Sequence, residues 1–485
     1  MTEFELKFQV PRERAAAVQA ALQRGAVEHT RLRARYFDTE GEDLARHGLA
    51  LRLRQEGRAH VQTAKGPGAG PFERLEHDVP VPASATEPDP ALHAGQPVGE
   101  ALRRALAEAG APLKPWFETD VVRRARVWKA AGAAVEIAFD QGHIRAGSAS
   151  IPVCELEFEL KEGSPAALFE LAQSWCETHG LWLDPLPKAA IGRRLALGMA
   201  EPAAVPAGEV PRAADPPALL AAILDSGLQQ VLGNARELAA GTGGDEHVHQ
   251  LRVGLRRLRT ALRELPLLAD LGAAAAQLQP PLEDLFVVLG EHRDRSTLLP
   301  RLQQELIAAG GPDLAWTPEL PDLAAAVRSP PFQSAVLQLV ALVHDLRSRG
   351  DGKLAPARRQ LQARLRKLHR RTLREGARFD ALAQPQRHTV RKRLKRLRYL
   401  SELVRPLFRA ADVDRYVDSL KRLQDALGSY QDTVAGRQLL TARAAQDPRA
   451  WFGAGWLAAR EQALARDCAR ACRKAAQHAQ AFWKG

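Results

Sequence analysis

The first two hundred residues contain short alternating segments whose charges fall on one face only. In an extended chain, neighbouring side chains point to opposite faces. Residues 2–8 therefore place three charged side chains together on one face, namely Glu3, Glu5 and Lys7. Residues 154–161 repeat this design with Glu155, Glu157 and Glu159. Such acidic strands would repel each other if they were adjacent, unless a divalent cation lay between them.

Further segments of this kind follow, and most of them carry arginines. Residues 31–35 place Arg31, Arg33 and Arg35 on one face, and residues 51–54 do the same with Arg52 and Arg54. A single strand of this kind is typically a solvated edge of a sheet. When many consecutive strands share the pattern, the sheet can instead close into a barrel with the charged face inside. We therefore predict a multidomain chain with an N-terminal antiparallel β-barrel tunnel of α+β type, whose interior would hold an ionic ligand.

The chain is too long for a single hydrophobic core, and its charge is unevenly distributed. Residues 1–200 contain 25 basic and 27 acidic residues, whereas the remainder contains 44 basic and 30 acidic residues. A polyanion-binding surface is therefore expected in the second half. Residues 201–217 are rich in Ala and Pro and form the predicted linker between domains at 1–200 and 218–485. No apolar run reaches the roughly 18 residues of a membrane span, so we expect a cytoplasmic protein without membrane contact.

Residues 218–485 show helical periodicity and an internal repeat. The segment from His249 to Arg259 aligns with the segment from His388 to Arg398 at an offset of 139 residues. Such a long period suits an all-α domain of two pseudo-symmetric four-helix bundles, at about 218–350 and 351–485. In both copies a basic stripe runs beside an apolar one, although like charges at this spacing destabilise a helix. A solvated basic face would explain one such helix, but its recurrence favours an anion site.

The N-terminal motifs resemble those of the CYTH superfamily, the triphosphate tunnel metalloenzymes. The resemblance rests on Glu3-x-Glu5-x-Lys7, Tyr36 to Thr39, Leu51 to Arg54, Thr63 to Gly66, Arg74-x-Glu76, Arg124, Glu136, Asp140, the strand with Glu155 to Glu159, and Lys188. It implies an eight-stranded tunnel that binds a triphosphate together with Mg²⁺ or Mn²⁺. The implied metal ligands are Glu3, Glu5, Asp140, Glu157 and Glu159. The implied substrate ligands are Arg35, Arg52, Arg54, Lys65, Arg74, Arg124 and Lys188, and the implied catalytic residues are Glu3, Glu5 and Lys7.

The repeated basic motif resembles the CHAD domain, a conserved-histidine α-helical domain. This resemblance implies a basic surface that binds inorganic polyphosphate. The implied ligands are His249, Arg252, Arg256, Arg259, His388, Arg391, Lys395 and Arg398. The second copy carries Gln431 where the first has Arg293, so its contact would be weaker or differently shaped. The basic helices carry few of the aromatic side chains on which single-stranded nucleic acids stack, so we expect no specific nucleic-acid binding.

Together these features predict a divalent-metal-dependent hydrolase of inorganic triphosphate that carries a polyphosphate-binding module. Hydrolysis of a phosphoanhydride needs neutralised phosphate oxygens and a positioned water, which carboxylates with Mg²⁺ or Mn²⁺ and a set of arginines provide. A nucleotide or thiamine triphosphatase, or an adenylyl cyclase, on the same tunnel is one alternative. A scaffold that binds polyphosphate without hydrolysing it is another. The general base, the number of metals and the oligomeric state stay open at this point.

Overall fold

The computed structural model describes residues 2–68, 70, 72–130, 132–199, 201–271, 273–350, 353–478 and 481–484. The chain forms two units. One contains residues 1–205 together with 232–247 and 327–341, and the other contains residues 206–231, 248–326 and 342–485. The unit that holds the N-terminal sheet, called the tunnel unit below, therefore includes two segments from beyond residue 205.

The N-terminal sheet is antiparallel and closed. Its strands are β1 (Thr2–Gln9), β2 (Glu28–Asp38), β3 (Ala50–Glu56), β4 (Ala59–Pro67), β5 (Glu73–Pro80), β6 (Lys114–Ala130), β7 (Ala133–Ala146), β8 (Ala149–Glu162) and β9 (Trp182–Leu183). They follow the order β5-β4-β3-β2-β6-β7-β8-β1, and β5 also pairs with β1, which closes the barrel. The short β9 pairs with β1 at Phe8 and Gln9. The predicted antiparallel barrel of eight strands is confirmed.

The outer face of the acidic strands is apolar and is covered by a helix. The helices of the first two hundred residues are α1 (Ala15–Leu22), α2 (Asp43–Arg46), α3 (Pro97–Ala109), α4 (Pro165–His179) and α5 (Lys188–Ala196). Phe158 on β8 packs edge-on against Trp175 of α4, with 6.0 Å between ring centroids, and against Phe8 of β1 at 5.7 Å. Burial of these rings holds β1 and β8 together and leaves their charged side chains on the inner face.

Apolar side chains fill one end of the barrel interior. Tyr36 and Phe117 stack there with 4.6 Å between ring centroids, and Ile191 of α5 packs against the same cluster. A Cβ atom at Gly192 would lie 2.2 Å from the Phe117 ring, so only glycine allows this close approach. Helix α5 therefore covers this end and sets the position of Lys188, its first residue.

The C-terminal region is helical, as predicted. Its helices are α6 (Pro216–Ala240), α7 (Asp245–Glu264), α8 (Ala274–Arg293), α9 (Leu299–Ala308), α10 (Leu323–Arg328), α11 (Pro330–Ser348), α12 (Leu354–Gly376), α13 (Gln384–Leu403), α14 (Ala410–Arg443) and α15 (Ala450–His478). The repeated basic motifs lie on α7 and α13, and their apolar stripes, such as Leu251 and Leu255 on α7 and Leu394 on α13, are fully buried. None of the described helices has an apolar stretch long enough to cross a membrane.

Candidate functional site

The inner face of β1, β8 and β7 is arranged in three rows of opposed side chains. The first row is Glu5, Glu159 and Glu136, which we call the carboxylate row. The second row is Lys7, Glu157 and Ala138, and the third is Gln9, Glu155 and Asp140. Because opposed side chains on neighbouring strands lie about 5 Å apart, the pairing of these three strands concentrates acidic groups inside the barrel.

Cations of the protein neutralise the acids of the second and third rows. Lys188 Nζ lies 2.8 Å from Asp140 Oδ2 and 2.7 Å from Glu157 Oε1, and it also pairs with Glu155. Arg123 donates to both Asp140 oxygens, at 2.8 and 2.7 Å, and to Glu157. Burial alone would raise the pKa of Asp140 and of Glu157, but Lys188 and Arg123 hold both pKa values below the usual range. These carboxylates are therefore charged at neutral pH and compensated.

The carboxylate row has much less compensation. Burial, and after it the neighbouring Glu157, raise the pKa of Glu5 to about 7. Glu159 pairs with Lys161 at 2.6 Å. In the described part of the chain, no Lys or Arg nitrogen lies within 4.0 Å of the carboxylates of Glu5 or Glu136. Lys65, Lys188 and Arg123 lower the pKa of Glu5, but burial outweighs them. Three opposed acids, of which Glu159 alone has an ion pair among the described residues, fit a hard divalent cation, which prefers carboxylate oxygens.

Among the described residues, a different set of carboxylates has the close spacing of a metal site. Asp140, Glu155 and Glu157 each offer an oxygen within 4.8 Å of the others. Lys188 and Arg123 already contact this set, so a metal ion would compete there with two basic side chains. The carboxylate row is thus a candidate metal centre because it has fewer ion-pair partners, whereas Asp140, Glu155 and Glu157 are the candidate by spacing.

The other side of the cavity carries four basic side chains, and Glu56 and Glu76 pair with two of them, Arg54 and Lys65. The cavity has a volume of about 390 Å³, and β3, β4 and β5 contribute Arg52, Arg54, Lys65 and Arg74 to its lining. Arg52 Nη1 donates to Tyr36 Oη at 3.1 Å, and Arg52 lies 3.8 Å from Glu76. Burial, and after it the neighbouring Arg52, lower the pKa of Arg54. An anion between these two guanidinium groups would relieve their repulsion.

Most of the tunnel residues proposed from the sequence line this cavity. They are Glu5, Lys7, Arg52, Arg54, Lys65, Arg74, Glu157, Glu159 and Lys188. Asp140 is fully buried and is linked to the cavity through Lys188 and Arg123. The side chain of Glu3 lies outside the described residues.

Arg35 and Arg124 lie elsewhere than expected. The Arg35 guanidinium is 5.9 Å from the centroid of the Phe37 ring, while its strand neighbour Tyr36 lines the cavity. Arg124 donates to Gln141 Oε1 at 2.8 Å, and it is Arg123 that lines the cavity. Successive residues of a strand face opposite sides, so the expectation for each arginine was one residue out of register.

Several charged residues of the site were not among the ligands and catalytic residues proposed from the sequence; they include Arg123, Glu136, Glu155 and Asp184. Strict alternation along β8 places Glu155 on the same face as Glu157, so the pattern contained that signal. Glu136 belongs to the motifs on which the CYTH resemblance rests, but its place inside the barrel, like that of Arg123, required the register of β6 and β7, which the sequence alone does not fix. Asp184 follows β9 in an irregular segment, and no periodicity pointed to it.

Basic side chains from both repeats meet in the helical region. Arg252 and Arg256 of α7, with Arg391 and Lys395 of α13, form what we call the cationic cluster. Burial, and after it Arg256 and Arg391, lower the pKa of Lys395 to about 5. Burial and Arg256 likewise lower the pKa of Arg391 to about 10 and that of Arg252 to about 9. Among the described residues, no carboxylate oxygen lies within 4.0 Å of these four groups.

The other proposed polyphosphate ligands have different surroundings. Arg259 pairs with Glu283 at 2.8 Å, and Arg398 pairs with Glu402 at 2.7 Å. His249 is exposed, whereas His388 lies 3.4 Å from Gln431 Oε1 and burial lowers its pKa. The two arginines are thus partly neutralised within the protein, and the cationic cluster is the least compensated group of this set.

One aromatic ring organises the arginines of the first repeat. The guanidinium groups of Arg252, Arg256 and Arg259 lie 4.6, 4.9 and 5.6 Å from the centroid of the Phe286 ring on α8. In the second repeat Gln424 stands at the position equivalent to Phe286 and accepts a hydrogen bond from Arg398 at 3.0 Å. The two copies therefore hold their basic stripes by different means.

Known proteins resemble the chain in one part or over most of its length. An inorganic triphosphatase of Haemophilus influenzae is 29% identical over 160 residues, which is 32% of this chain and 44% of that protein. The chain thus spans less than half of that relative. An uncharacterised protein of Mycobacterium tuberculosis is 29% identical over 448 residues, covering 84% of this chain and 81% of the relative. The crystal structure of the CHAD domain from the plant Ricinus communis covers 59% of this chain and 99% of its own, with 28% identity and a TM-score of 0.47.

Family models account for most of the sequence. The CYTH domain model matches residues 1–190, which contain the closed barrel and its cavity. The CHAD domain model matches residues 222–441, which contain both basic motifs. The chain therefore contains a CYTH domain at residues 1–190, followed by a CHAD domain at residues 222–441.

Proposed function

We propose that the tunnel hydrolyses inorganic triphosphate with the help of Mg²⁺ or Mn²⁺, and that the helical region binds inorganic polyphosphate. The observation that carries the first part is that one closed barrel brings carboxylates of β1, β7 and β8 and basic side chains of β3, β4 and β5 to the same cavity. A triphosphate with its cation needs both kinds of group within reach. The name of the Haemophilus influenzae relative, an inorganic triphosphatase, supports this substrate class.

The carboxylate row, Glu5, Glu136 and Glu159, is proposed to hold the cation. When bound, such a cation neutralises charge on phosphate oxygens and lowers the pKa of a coordinated water. Glu157 and Asp140 are proposed to act mainly through their ion pairs, which fix the side chains of Arg123 and Lys188. Glu3 stays a predicted ligand on the same strand.

The basic side of the cavity is proposed to bind the phosphate oxygens. Arginine presents a planar fork that matches two phosphate oxygens, which suits Arg52, Arg54 and Arg74. Lys65 and Lys7 add compact charges at the other positions of the lining. A phosphate chain between them would replace intramolecular repulsion, such as that between Arg52 and Arg54, with attraction.

The cationic cluster is proposed to bind the phosphates of a polyphosphate chain. Its four basic groups come from both repeats. Burial, and after it repulsion from neighbouring arginines, lower the pKa values of Lys395, Arg391 and Arg252, and a bound polyanion would relieve that repulsion. Like other phosphate contacts made by Lys and Arg, this binding should weaken as salt is raised.

A substrate panel tests the enzymatic part. Released phosphate is measured for tripolyphosphate, ATP, thiamine triphosphate and long-chain polyphosphate, each with Mg²⁺, with Mn²⁺ and with a chelator. We expect the highest kcat/KM for tripolyphosphate and no release with the chelator. A preference for ATP or thiamine triphosphate would select an organic triphosphatase instead. Absence of release from all four compounds would leave a polyphosphate-binding scaffold.

A further inference from the structure

The segment between β9 and α5 contributes directly to the tunnel. Asp184 lines the cavity and is fully buried. The backbone carbonyl of Leu186 accepts a hydrogen bond from Lys7 Nζ, and Lys188 begins α5. The position of this segment therefore decides where Lys7 and Lys188 present their charges.

Asp184 also contacts a helix from beyond residue 205. Its Oδ2 accepts a hydrogen bond from Gln9 Nε2 at 2.9 Å and lies 4.0 Å from Lys7 Nζ. Its Oδ1 accepts hydrogen bonds from the backbone N of Leu186 at 2.9 Å and from Arg236 Nε at 3.1 Å. Arg236 is part of α6, within residues 232–247, which belong to the tunnel unit.

Arg236 is held in turn by a buried glutamate. Glu237 Oε1 accepts hydrogen bonds from Arg236 Nη1 and from Arg194 Nη1, each at 2.6 Å, and Thr242 Oγ1 donates to Oε2 at 2.6 Å. The side chains of Arg236 and Glu237 are only 12% and 3% exposed. Although burial opposes its charge, Asp184 and Glu237 raise the pKa of Arg236. The guanidinium is thus fixed in place and fully charged.

Lys7 already pairs with Glu155, at 3.3 Å. We infer that Arg236 is a positioning residue for phosphate binding in the tunnel, because it neutralises Asp184 and so keeps a second carboxylate from holding Lys7 away from the substrate. A buried aspartate without this partner would draw the Lys7 ammonium, 4.0 Å away, into a full ion pair. That ion pair would compete with phosphate oxygens for the same cation. The inference rests on the proposed binding of triphosphate in the tunnel.

A second helix supports the same segment. Gln333 of α11 accepts a hydrogen bond from the backbone N of Leu183 at 2.9 Å and donates to the Val327 carbonyl at 2.6 Å. Gln333 is buried and lies within residues 327–341 of the tunnel unit. Both Arg236 and Gln333 fall within the residues that the CHAD model matches, at 222–441. Two residues matched by the CHAD model therefore support the segment that brings Asp184 and Lys188 to the tunnel.

The test is Arg236→Met in the full-length protein, with Arg347→Met as the matched control. Arg347 pairs with Asp225, which is also on α6, at 2.8 Å, and neither residue lies in the tunnel unit. We measure kcat, KM and the dissociation constant for tripolyphosphate. Arg236→Met should raise KM and the dissociation constant about tenfold, with a smaller effect on kcat, since a buried charged contact is lost. Arg347→Met should leave all three unchanged.

Two further variants separate positioning from a loss of folding. Arg236→Met combined with Asp184→Asn removes both charges, and its KM should return to within about threefold of the wild-type value. Arg236→Gln keeps a hydrogen-bond donor but removes the charge. If Arg236→Met does not fold, the same rise in KM and in the dissociation constant is expected for Arg236→Gln. An unchanged KM and dissociation constant in a folded Arg236 variant would overturn the inference, and so would failure of the double variant to recover.

The proposed function and this inference can fail separately. Wild-type protein that binds tripolyphosphate without hydrolysing it contradicts the proposed enzyme, while the dissociation constants of the variants still decide the role of Arg236. Wild-type protein that neither binds nor hydrolyses tripolyphosphate contradicts both.

Discussion

Glu5 on β1 lies directly opposite Glu159 on β8, and both side chains line the inner cavity of the barrel. Two carboxylates in this relationship destabilise an antiparallel pair unless a cation is shared between them. The raised pKa of Glu5, about 7, has burial as its main cause, and the nearby Glu157 adds to it. The barrel thus maintains an unfavourable arrangement of charge at the position where a divalent cation would make it favourable.

The first prediction is that Glu5→Gln abolishes the response to divalent cations. Turnover of tripolyphosphate should fall about 100-fold or more, because a ligand is removed from the proposed metal site. Without metal, the variant should be at least as stable as wild type, since one of the opposed charges is gone. Wild type should show a rise in melting temperature on adding Mn²⁺, because a cation that binds only the folded state stabilises it, and the variant should lose most of that rise.

The control for this variant is Glu118→Gln. Glu118 pairs in register with Arg35 on β2 and is exposed, outside the inner cavity. The Glu118→Gln variant removes the same charge from the same barrel but at a position outside the cavity. The turnover of this variant and its response to Mn²⁺ should therefore match those of wild type. Equal effects of the two variants would contradict the assignment of the carboxylate row.

The second prediction compares the neighbouring residues Arg123 and Arg124. Arg123→Met leaves the buried Asp140 and Glu157 with one cation fewer, so it should lower the free energy of unfolding by about 3 kcal/mol and weaken tripolyphosphate binding. Arg124→Met loses a single hydrogen bond to Gln141 and should cost about 1 kcal/mol or less. Urea unfolding of both variants measures the difference. A larger loss for Arg124→Met would mean that β6 has the other register.

The barrel was predictable because its charged strands are incompatible with an ordinary open sheet. On β1 and β8, alternation alone indicates which face points inward. Glu5, Lys7, Glu157 and Glu159 lie on these faces, and all four line the cavity. On β6 the arginines occur on both faces, so the sequence does not show which face is inside. On β2 the three arginines share one face, but it is the opposite face, with Leu32 and Tyr36, that lines the cavity. The positions of Arg35 and Arg124 depend on pairings such as Arg35 with Glu118, which are set by the whole sheet.

The helical region was predictable in outline for a different reason. The repeated motif placed Arg252 beside Arg256 and Arg391 beside Lys395 through helical spacing, which is a local property. The contacts of Arg236 with Asp184 join residues 52 positions apart, and those of Gln333 with Leu183 join residues 150 positions apart. No periodicity encodes such contacts, because they depend on how separate elements pack.

The third prediction is that Phe286→Leu weakens polyphosphate binding. The ring lies within 6 Å of three guanidinium groups, and each such contact contributes about 0.5–1 kcal/mol at a partly exposed site. Leucine keeps most of the apolar contact but cannot hold the arginines in this way, so the dissociation constant should rise about fivefold. The salt dependence should change little, since no charge is removed. Fluorescence or calorimetric titration with long-chain polyphosphate measures both.

Val287→Ala is the control for the ring. Val287 is the next residue of α8, and its side chain is 52% exposed. It lies outside the arginine contacts described for Phe286, so its truncation should leave the dissociation constant within about twofold of wild type. Equal weakening by the two variants would show that helix α8, and not the ring, is responsible.

The fourth prediction is that polyphosphate binding takes up a proton at Lys395. Burial, and after it Arg256 and Arg391, lower the pKa of this lysine to about 5, with Arg252 and Arg293 contributing in the same direction. Lys395 is therefore mostly neutral at pH 7 in the free protein. A bound polyanion favours the charged form and raises the pKa, so binding and protonation assist each other.

The sign of the pH dependence follows from this coupling. Below about pH 5, Lys395 is charged in the free protein and in the polyphosphate complex, so its protonation no longer changes the binding affinity. Above that value binding requires proton uptake, so affinity should fall as the pH rises towards the pKa of the bound form. Calorimetry at pH 7 in two buffers of different ionisation enthalpy measures the number of protons taken up. Wild type should take up more than Lys395→Met, and equal uptake by the two proteins would assign the proton to another group.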